Sequence, residues 1–443
     1  MRSYLILGMC FLFLIQYFIN LHWLQLLLGV IASIVFIGSV SLASIIPRSI
    51  SILMFVAAIL STLLKGKGFD EAAHGVTLNL PLLTLLVLVP LLSIPFRMGG
   101  YFDSILLYLK QYQNNPRKMF MGITTVLFFV APILSLGSIR IVHDLFKNLR
   151  LNSTLLSKAY LVGFSPTILW SPYYGAVGIT LLYLNVSISD YMANGIGIAL
   201  LFLVSGNVLF GRWAKKQNFE KIDAQVEIIS PDNKKKIKRL PLILLALLVV
   251  TIIIESITHW SMLVIVSLLS IVFPLTWSLF SKQRKLFTSL LMDYRDKSVP
   301  IMNNEIIVYI SAGFFGASLK GTTLGKVINE LMIDLSEISL VLLILFIFIT
   351  MICVTFVGIH QVVVVTVLAT QMDPGMLGTT KEILAMVFMM AWLVSSILSP
   401  LNPLNLMVSG LVKKSGLQVG ILDNGLYLLV VSVLGILILN ILN

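Results

Sequence analysis

Long apolar runs alternate with short polar breaks along almost the whole chain. A helix needs about 20 apolar residues to cross the hydrocarbon of a bilayer. In the first half, runs near 4–20, 23–46, 50–64, 79–96, 155–184 and 191–210 read as crossings. The second half supplies 241–256, 261–280, 304–318, 380–411 and 424–441. The pattern predicts an all-α polytopic membrane protein with about 11 transmembrane helices. Two long stretches, 119–150 and 338–372, do not fit as simple crossings. They are expected to be re-entrant hairpins. The first run leads directly into a second from Trp23 with no small-residue cleavage site between them, so it reads as a retained helix.

Charge then orients the elements. The segment 212–239 carries nine lysines and arginines against four acids, which assigns it to the cytoplasm as a basic linker. With 119–150 entering and leaving on one side, Arg117, Lys118, Lys147, Arg150 and Lys158 join the linker there, as do Arg2, Arg48, Lys413 and Lys414. The N-terminus is thereby cytoplasmic and the protein multi-pass in the inner membrane. The stretch 338–372, preceded by Glu330, Asp334 and Glu337, enters from the opposite face.

Composition narrows the classes. At 58% hydrophobic and 11% charged residues, the chain cannot coat a soluble globule, and the bilayer is its solvent. A net charge of +12 records orientation and is not evidence for a nucleic-acid partner. Cys10 and Cys353 both lie in apolar runs and make no disulfide framework. No Walker motif and no His/Glu zinc pattern is present, so no ATP chemistry, metal site, cofactor or enzyme activity is expected.

An internal repeat organises the runs. The segment from Ile94 has a counterpart from Gly313, each closing a crossing with glycines and an amphipathic stretch. LSLGSIRIV at 134–142 parallels FVGIHQVVV at 356–364. SPTILWSPYYG at 165–175 parallels SILSPLNPLNL at 396–406, setting Ser171 opposite Asn402 and Pro172 opposite Pro403. The repeats are 1–211, with hairpin 119–150 and broken helix 155–184, and 240–443, with hairpin 338–372 and broken helix 380–411. They start on opposite faces, which makes an inverted repeat.

On these features the chain resembles the ion transporter superfamily, and most its divalent anion:sodium symporter branch of dicarboxylate, citrate and sulfate carriers. In that branch Ser-Asn-Thr stands at each hairpin tip and a Thr-Pro-Pro-Asn type turn in each broken helix. Here the tips read Gly137-Ser138-Ile139 and Gly358-Ile359-His360, and the turns Ser171-Pro172-Tyr173 and Asn402-Pro403-Leu404-Asn405, so the signature is degenerate. The resemblance implies a small-molecule anion as cargo, sodium as coupling ion, and a homodimer.

Proline breaks a helix, so Pro166 and Pro172 in one crossing, and Pro400 and Pro403 in the other, are expected to free backbone groups for a ligand, or else to act as plain kinks. Gly137 and Gly358 let the tips approach a substrate closely. A guanidinium at membrane depth is costly; Arg140 either grips an anion or pairs with Asp144. His360 holds the matching place in the other hairpin, as a donor to an anion, a proton carrier or a structural side chain. Ser138, Gln361, Ser165, Thr167, Ser171, Ser399, Asn402 and Asn405 supply neutral polar groups at the same depth, for a substrate or for joining helices. Trp170, Tyr173 and Tyr174 either wall the cavity or, as the better expectation for any one of them, pack against lipid or at the interface. The leading expectation is a secondary carrier of a small anion, a carboxylate foremost, coupled to sodium or protons. Export of arsenite or another small solute, cation/proton antiport, and a non-transporting receptor or scaffold are the alternatives.

Overall fold

The computed structural model describes residues 2–146, 151–219, 230–372 and 374–443. Four residues of the expected first hairpin, 147–150, and the middle of the basic linker, 220–229, lie outside the described residues. Helices account for all regular structure among the described residues. They are α1 Arg2–Ile19, α2 His22–Val40, α3 Ile45–Leu64, α4 Phe69–Thr77, α5 Leu80–Leu88, α6 Ser93–Met98, α7 Tyr101–Lys110, α8 Pro116–Leu134, α9 Gly137–Leu145, α10 Ser153–Phe164, α11 Thr167–Trp170, α12 Gly175–Leu184 and α13 Ile188–Ala214. The second half contains α14 Pro231–Thr258, α15 Met262–Ser281, α16 Arg284–Asp293, α17 Asn303–Leu319, α18 Thr323–Ile338, α19 Leu340–Phe356, α20 Gln361–Gln371, α21 Lys381–Leu398, α22 Pro403–Val412 and α23 Gly425–Leu442.

Ten helices or continuous helical runs among the described residues are long and apolar enough to span a bilayer, and the chain is a multi-pass membrane protein. Long runs of leucine, isoleucine and valine satisfy every backbone group internally, as hydrocarbon requires. The ten include α8, expected as a hairpin arm. They omit α17, at 17 residues, and the interrupted α10–α12.

Both halves run through the same order of elements: a crossing, a separate amphipathic helix (α7 or α18), a helix–turn–helix pair (α8–α9 or α19–α20), a broken helix (α10–α12 or α21–α22) and a closing helix (α13 or α23). Within each pair the arms pack on one another. The broken helices lie innermost: the run 381–412 is 89% buried, whereas α1, α2, α3 and α23 leave most of their surface outside. Exposed leucine, isoleucine and valine side chains on those outer helices are the face offered to lipid.

Polar side chains inside this apolar body tie helix ends. Asn79, 1% exposed, donates to the Tyr309 carbonyl at 2.9 Å and accepts from the Tyr183 hydroxyl at 2.5 Å, joining α5, α12 and α17. Lys65 donates to the Ser318 and Lys320 carbonyls at the end of α17, both at 2.6 Å. Glu255, at the end of α14, accepts from Ile188 N–H at 2.9 and 3.0 Å and from Ser189 N–H at 3.3 Å. Its carboxylate therefore caps the positive end of α13. Glu255→Ala should cost about 1–2 kcal/mol of stability, the worth of a charge-assisted cap, read from reversible unfolding in mixed micelles.

Candidate functional site

The two broken helices open by the same local device. At the first, α11 ends at Trp170 and Ser171 turns extended (ψ 118°). The Ser171 hydroxyl accepts from Tyr173 N–H at 3.3 Å, and its carbonyl from Tyr174 N–H at 3.0 Å. At the second, α21 ends at Leu398 and Ser399 turns extended (ψ 124°). Its hydroxyl accepts from Leu401 N–H at 3.3 Å, and its carbonyl from Asn402 N–H at 3.2 Å. The equivalence is Ser171-Pro172 with Ser399-Pro400, three residues away from the register read off the sequence. The serine turn decides it: serine ends the helix and bonds across the following proline, while Pro403 opens the next helix at its first turn, where a missing N–H costs nothing.

The turns of the two pairs differ. In α8–α9 the reversal is at Ser135 (φ 48°, ψ −140°) and Leu136, a region that non-glycine residues rarely occupy. In α19–α20 it is at Gly358 (φ 87°), where an added Cβ would meet Ile46 of α3 at 2.9 Å. Only glycine fits both the backbone and that approach.

These four features enclose a slot of about 120 Å³ lined by Ser135 and Leu136, by Tyr173 to Ala176, by His360 and Gln361, and by Asn402 to Leu404. Glu305 and Tyr309 of α17, Trp392 and Ser396 of α21, and the apolar Leu85, Leu86 and Val89 complete it. Four helices, α9, α12, α20 and α22, begin at its edge, so four positive dipole ends converge there. Val362 N–H donates to His360 Nδ1 (3.2 Å) and Leu404 N–H to Asn402 Oδ1 (2.9 Å), capping α20 and α22. The N–H groups of Gly175 and Ala176 at the start of α12 have no protein acceptor among the described residues.

His360 has its Nδ1 lone pair committed to that cap, so a single ring proton would sit on Nε2. The ring stands edge-on between Tyr309 (5.5 Å) and Trp392 (5.6 Å). Gln361 is 1% exposed; its Nε2 donates to Ser396 at 2.9 Å and Ser395 at 3.3 Å, while Oε1 has no partner. The half-buried Glu305 carboxylate has no ion-pair or side-chain hydrogen-bond partner among the described residues. A second cavity of about 510 Å³ adjoins the slot and shares Glu305, His360, Gln361, Asn402 and Pro403 with it.

Of the expected site residues, His360, Gln361, Asn402 and Pro403 meet in the slot, and Gly358 lines the second cavity. The others are elsewhere. Arg140 is exposed and lines neither cavity: on α9 the buried positions are Ser138, Ile139 and Val142, and Gly137 and Arg140 fall on the opposite face. Ser138 donates to the Ser135 carbonyl at 2.7 Å. Thr167 donates to the Phe164 carbonyl at 2.6 Å, and Ser165 meets the Tyr427 hydroxyl at 3.5 Å. Ser399 donates to the Thr355 carbonyl at 2.9 Å. Asn405 donates to the carbonyls of Ile397 (2.6 Å) and Gly416 (3.0 Å) and accepts from Ser409 (2.8 Å). Pro166 stands just before α11 with a helical backbone and no capping bond, and Pro400 lies against Gly416. Pro172, like Ser171, forms the turn behind the slot. Tyr173 and Tyr174 do line it; Trp170 does not.

Glu305, Tyr309, Trp392, Ser135 and Gly175 are slot residues beyond the expected set. Glu305 and Tyr309 are four apart on α17, so they share a helix face; that spacing of an acid and a tyrosine at the start of an apolar run was the available signal.

No family model matches the chain, and no curated protein is significantly similar to it. Solved structures do match. The YdaH transporter of Alcanivorax borkumensis, described as having an unusual topology, aligns with a TM-score of 0.51 at 15% identity, over 81% of this chain and 85% of its own. MtrF of Neisseria gonorrhoeae, described as illuminating a class of antimetabolite efflux pumps, aligns with a TM-score of 0.55 at 13% identity, over 90% of this chain and 94% of its own. At such identities the likeness is one of fold, and the fold is that of these membrane transporters.

Proposed function

We propose that the chain is a secondary active carrier of a small anion, with protons as the coupling ion and Glu305 as the group that carries them. One observation carries the reading: a carboxylate with no ion-pair partner among the described residues shares a slot with four helix N-termini. Broken helices that aim their N-termini at an anion are the working part of many secondary carriers, and two N–H groups of α12 stand without an acceptor.

Neither cavity is lined by lysine or arginine, so the positive field of the slot comes from the backbone. While Glu305 is ionised it occupies that field, and a second anion beside it would be repelled. Once Glu305 takes a proton the field is free for a carboxylate, and proton and anion bind together. An ionised carboxylate left unpaired away from water costs on the order of several kcal/mol, so the emptied carrier has reason to stay protonated or to rebind a cation. Co-binding of this kind gives symport.

In this reading the pairs α8–α9 and α19–α20 are re-entrant hairpins of an inverted repeat, entering from opposite faces, with the basic linker cytoplasmic. The likeness to an efflux pump leaves the direction of transport open to either gradient.

The test is uptake of labelled succinate and ethanesulfonate into proteoliposomes. An acid-outside pH gradient should drive accumulation and a protonophore should abolish it. A sodium gradient at equal pH that drives uptake, with the proton gradient inert, would replace Glu305 by sodium as the coupling device.

A further inference from the structure

A small anion alone does not account for the larger cavity. It has about four times the volume of the slot (about 510 against 120 Å³) and adjoins it along Glu305, His360, Gln361, Asn402 and Pro403, which line both. Beyond these shared residues its wall turns apolar: Ile46, Ile50, Val308, Val363, Leu401 and Leu406. The space is therefore polar at its inner end and apolar at its outer end.

Each end carries its own mark. At the inner end the Gln361 Oε1 is buried without a partner, which is costly unless something supplies a hydrogen bond. At the outer end Ile45, Leu401 and Leu406 are 78%, 40% and 52% exposed. These exposed side chains leave the rim of the cavity open to the surroundings of the protein. The rim is held by one polar latch: Ser44 N–H donates to Asn304 Oδ1 at 2.8 Å, and Asn304 Nδ2 to the Ser44 hydroxyl at 3.2 Å. Ligand pockets of roughly 300–1,000 Å³ with mostly apolar walls and a few convergent polar groups are the usual form of a small-molecule site.

Resting on the reading of the slot as an anion site, we propose that the ligand is amphipathic: an oxyanion head in the slot and an alkyl tail in the apolar vestibule. The head needs the unpaired N–H groups of Gly175 and Ala176. A protonated Glu305, turned toward Gln361, can donate to the orphan Oε1. The tail replaces water or void against leucine and isoleucine walls, and affinity should rise roughly threefold to fourfold per buried methylene.

Alkanesulfonates test this, because they stay ionised and do not flip across the bilayer as protonated carboxylic acids do. The protein in lipid nanodiscs is titrated with ethanesulfonate and octanesulfonate, with empty nanodiscs as the partition blank. Octanesulfonate should bind at least a hundredfold more tightly. Leu401→Trp and Val308→Phe, which narrow the vestibule, should pull that ratio toward one, whatever they do to the affinity common to both probes. The chain-length comparison in the unmodified protein needs no variant to fold. A ratio within twofold overturns the inference. If ethanesulfonate is then still taken up with protons, the carrier reading survives that loss. Conversely, a hundredfold ratio with no proton-driven uptake of either probe upholds the amphipathic ligand and removes the carrier.

Discussion

Glu305→Gln is expected to uncouple the carrier while leaving its anion site intact. Glutamine has the size of a protonated glutamate and no charge to give up, so it holds the slot permanently in the anion-accepting condition. In the unmodified protein, anion affinity should fall with rising pH, by up to about tenfold per pH unit where Glu305 is ionised, the limit for one linked proton. In Glu305→Gln the affinity should be flat over the same range. Proton-driven accumulation should drop to the level of passive equilibration, while exchange of labelled for unlabelled anion across proteoliposomes persists. Equal pH dependence in both proteins would move the proton to another group, with His360, between Tyr309 and Trp392, next in line. Loss of exchange along with accumulation would instead make Glu305 a ligand to the cargo.

Why this residue escaped the sequence reading is itself physical. Glu305 follows Asn303 and Asn304 at the start of an apolar run, where an acid normally favours the positive end of its own helix and needs no other reason to be there. Only the packing of α17 against α3, α4 and α20 brings that helix start beside the second hairpin turn. Such contacts are not written in local pattern. By contrast, most crossings, the Gly358 turn and both breaks were legible, because length, glycine and proline act along the chain, whereas the first turn falls at Ser135 and Leu136, ahead of the expected Gly137 tip.

The residues that fall outside the slot follow the same logic. Arg140 looked functional because a guanidinium deep in a membrane demands a partner, yet the pattern of α9, with Ser138, Ile139 and Val142 inward, already put position 140 on the other face. Serines and asparagines near the breaks share one composition and two duties. Asn402 and Gln361 reach the slot; Asn405, Ser165, Thr167 and Ser399 satisfy carbonyls or meet a neighbouring hydroxyl. Which duty falls to which residue depends on the three-residue register of the serine turn, and a sequence rich in Asn, Pro and Ser permits more than one.

The pair Asn402 and Asn405 separates those duties experimentally. Asn405 is fully buried, and its amide holds the free carbonyls of Ile397 and Gly416 while Ser409 donates to it. Gly416 and Gly420 approach so closely that an added Cβ on either would meet the Asn405 amide at 3.1 and 2.9 Å. Asn405→Leu strands two carbonyls and a hydroxyl and forces a bulkier side chain against that turn, so about 2–5 kcal/mol of stability should be lost. The readout is the unfolding midpoint in mixed micelles and the yield of folded protein. Asn402→Ala removes a helix cap, which costs about 1 kcal/mol, and a donor on the slot wall. It should fold nearly as well and bind the anion several-fold more weakly. If Asn405→Leu folds normally and loses the anion while Asn402→Ala keeps it, the assignment of these two asparagines is inverted, and the slot lies one helical turn further along α22 than its lining residues now place it.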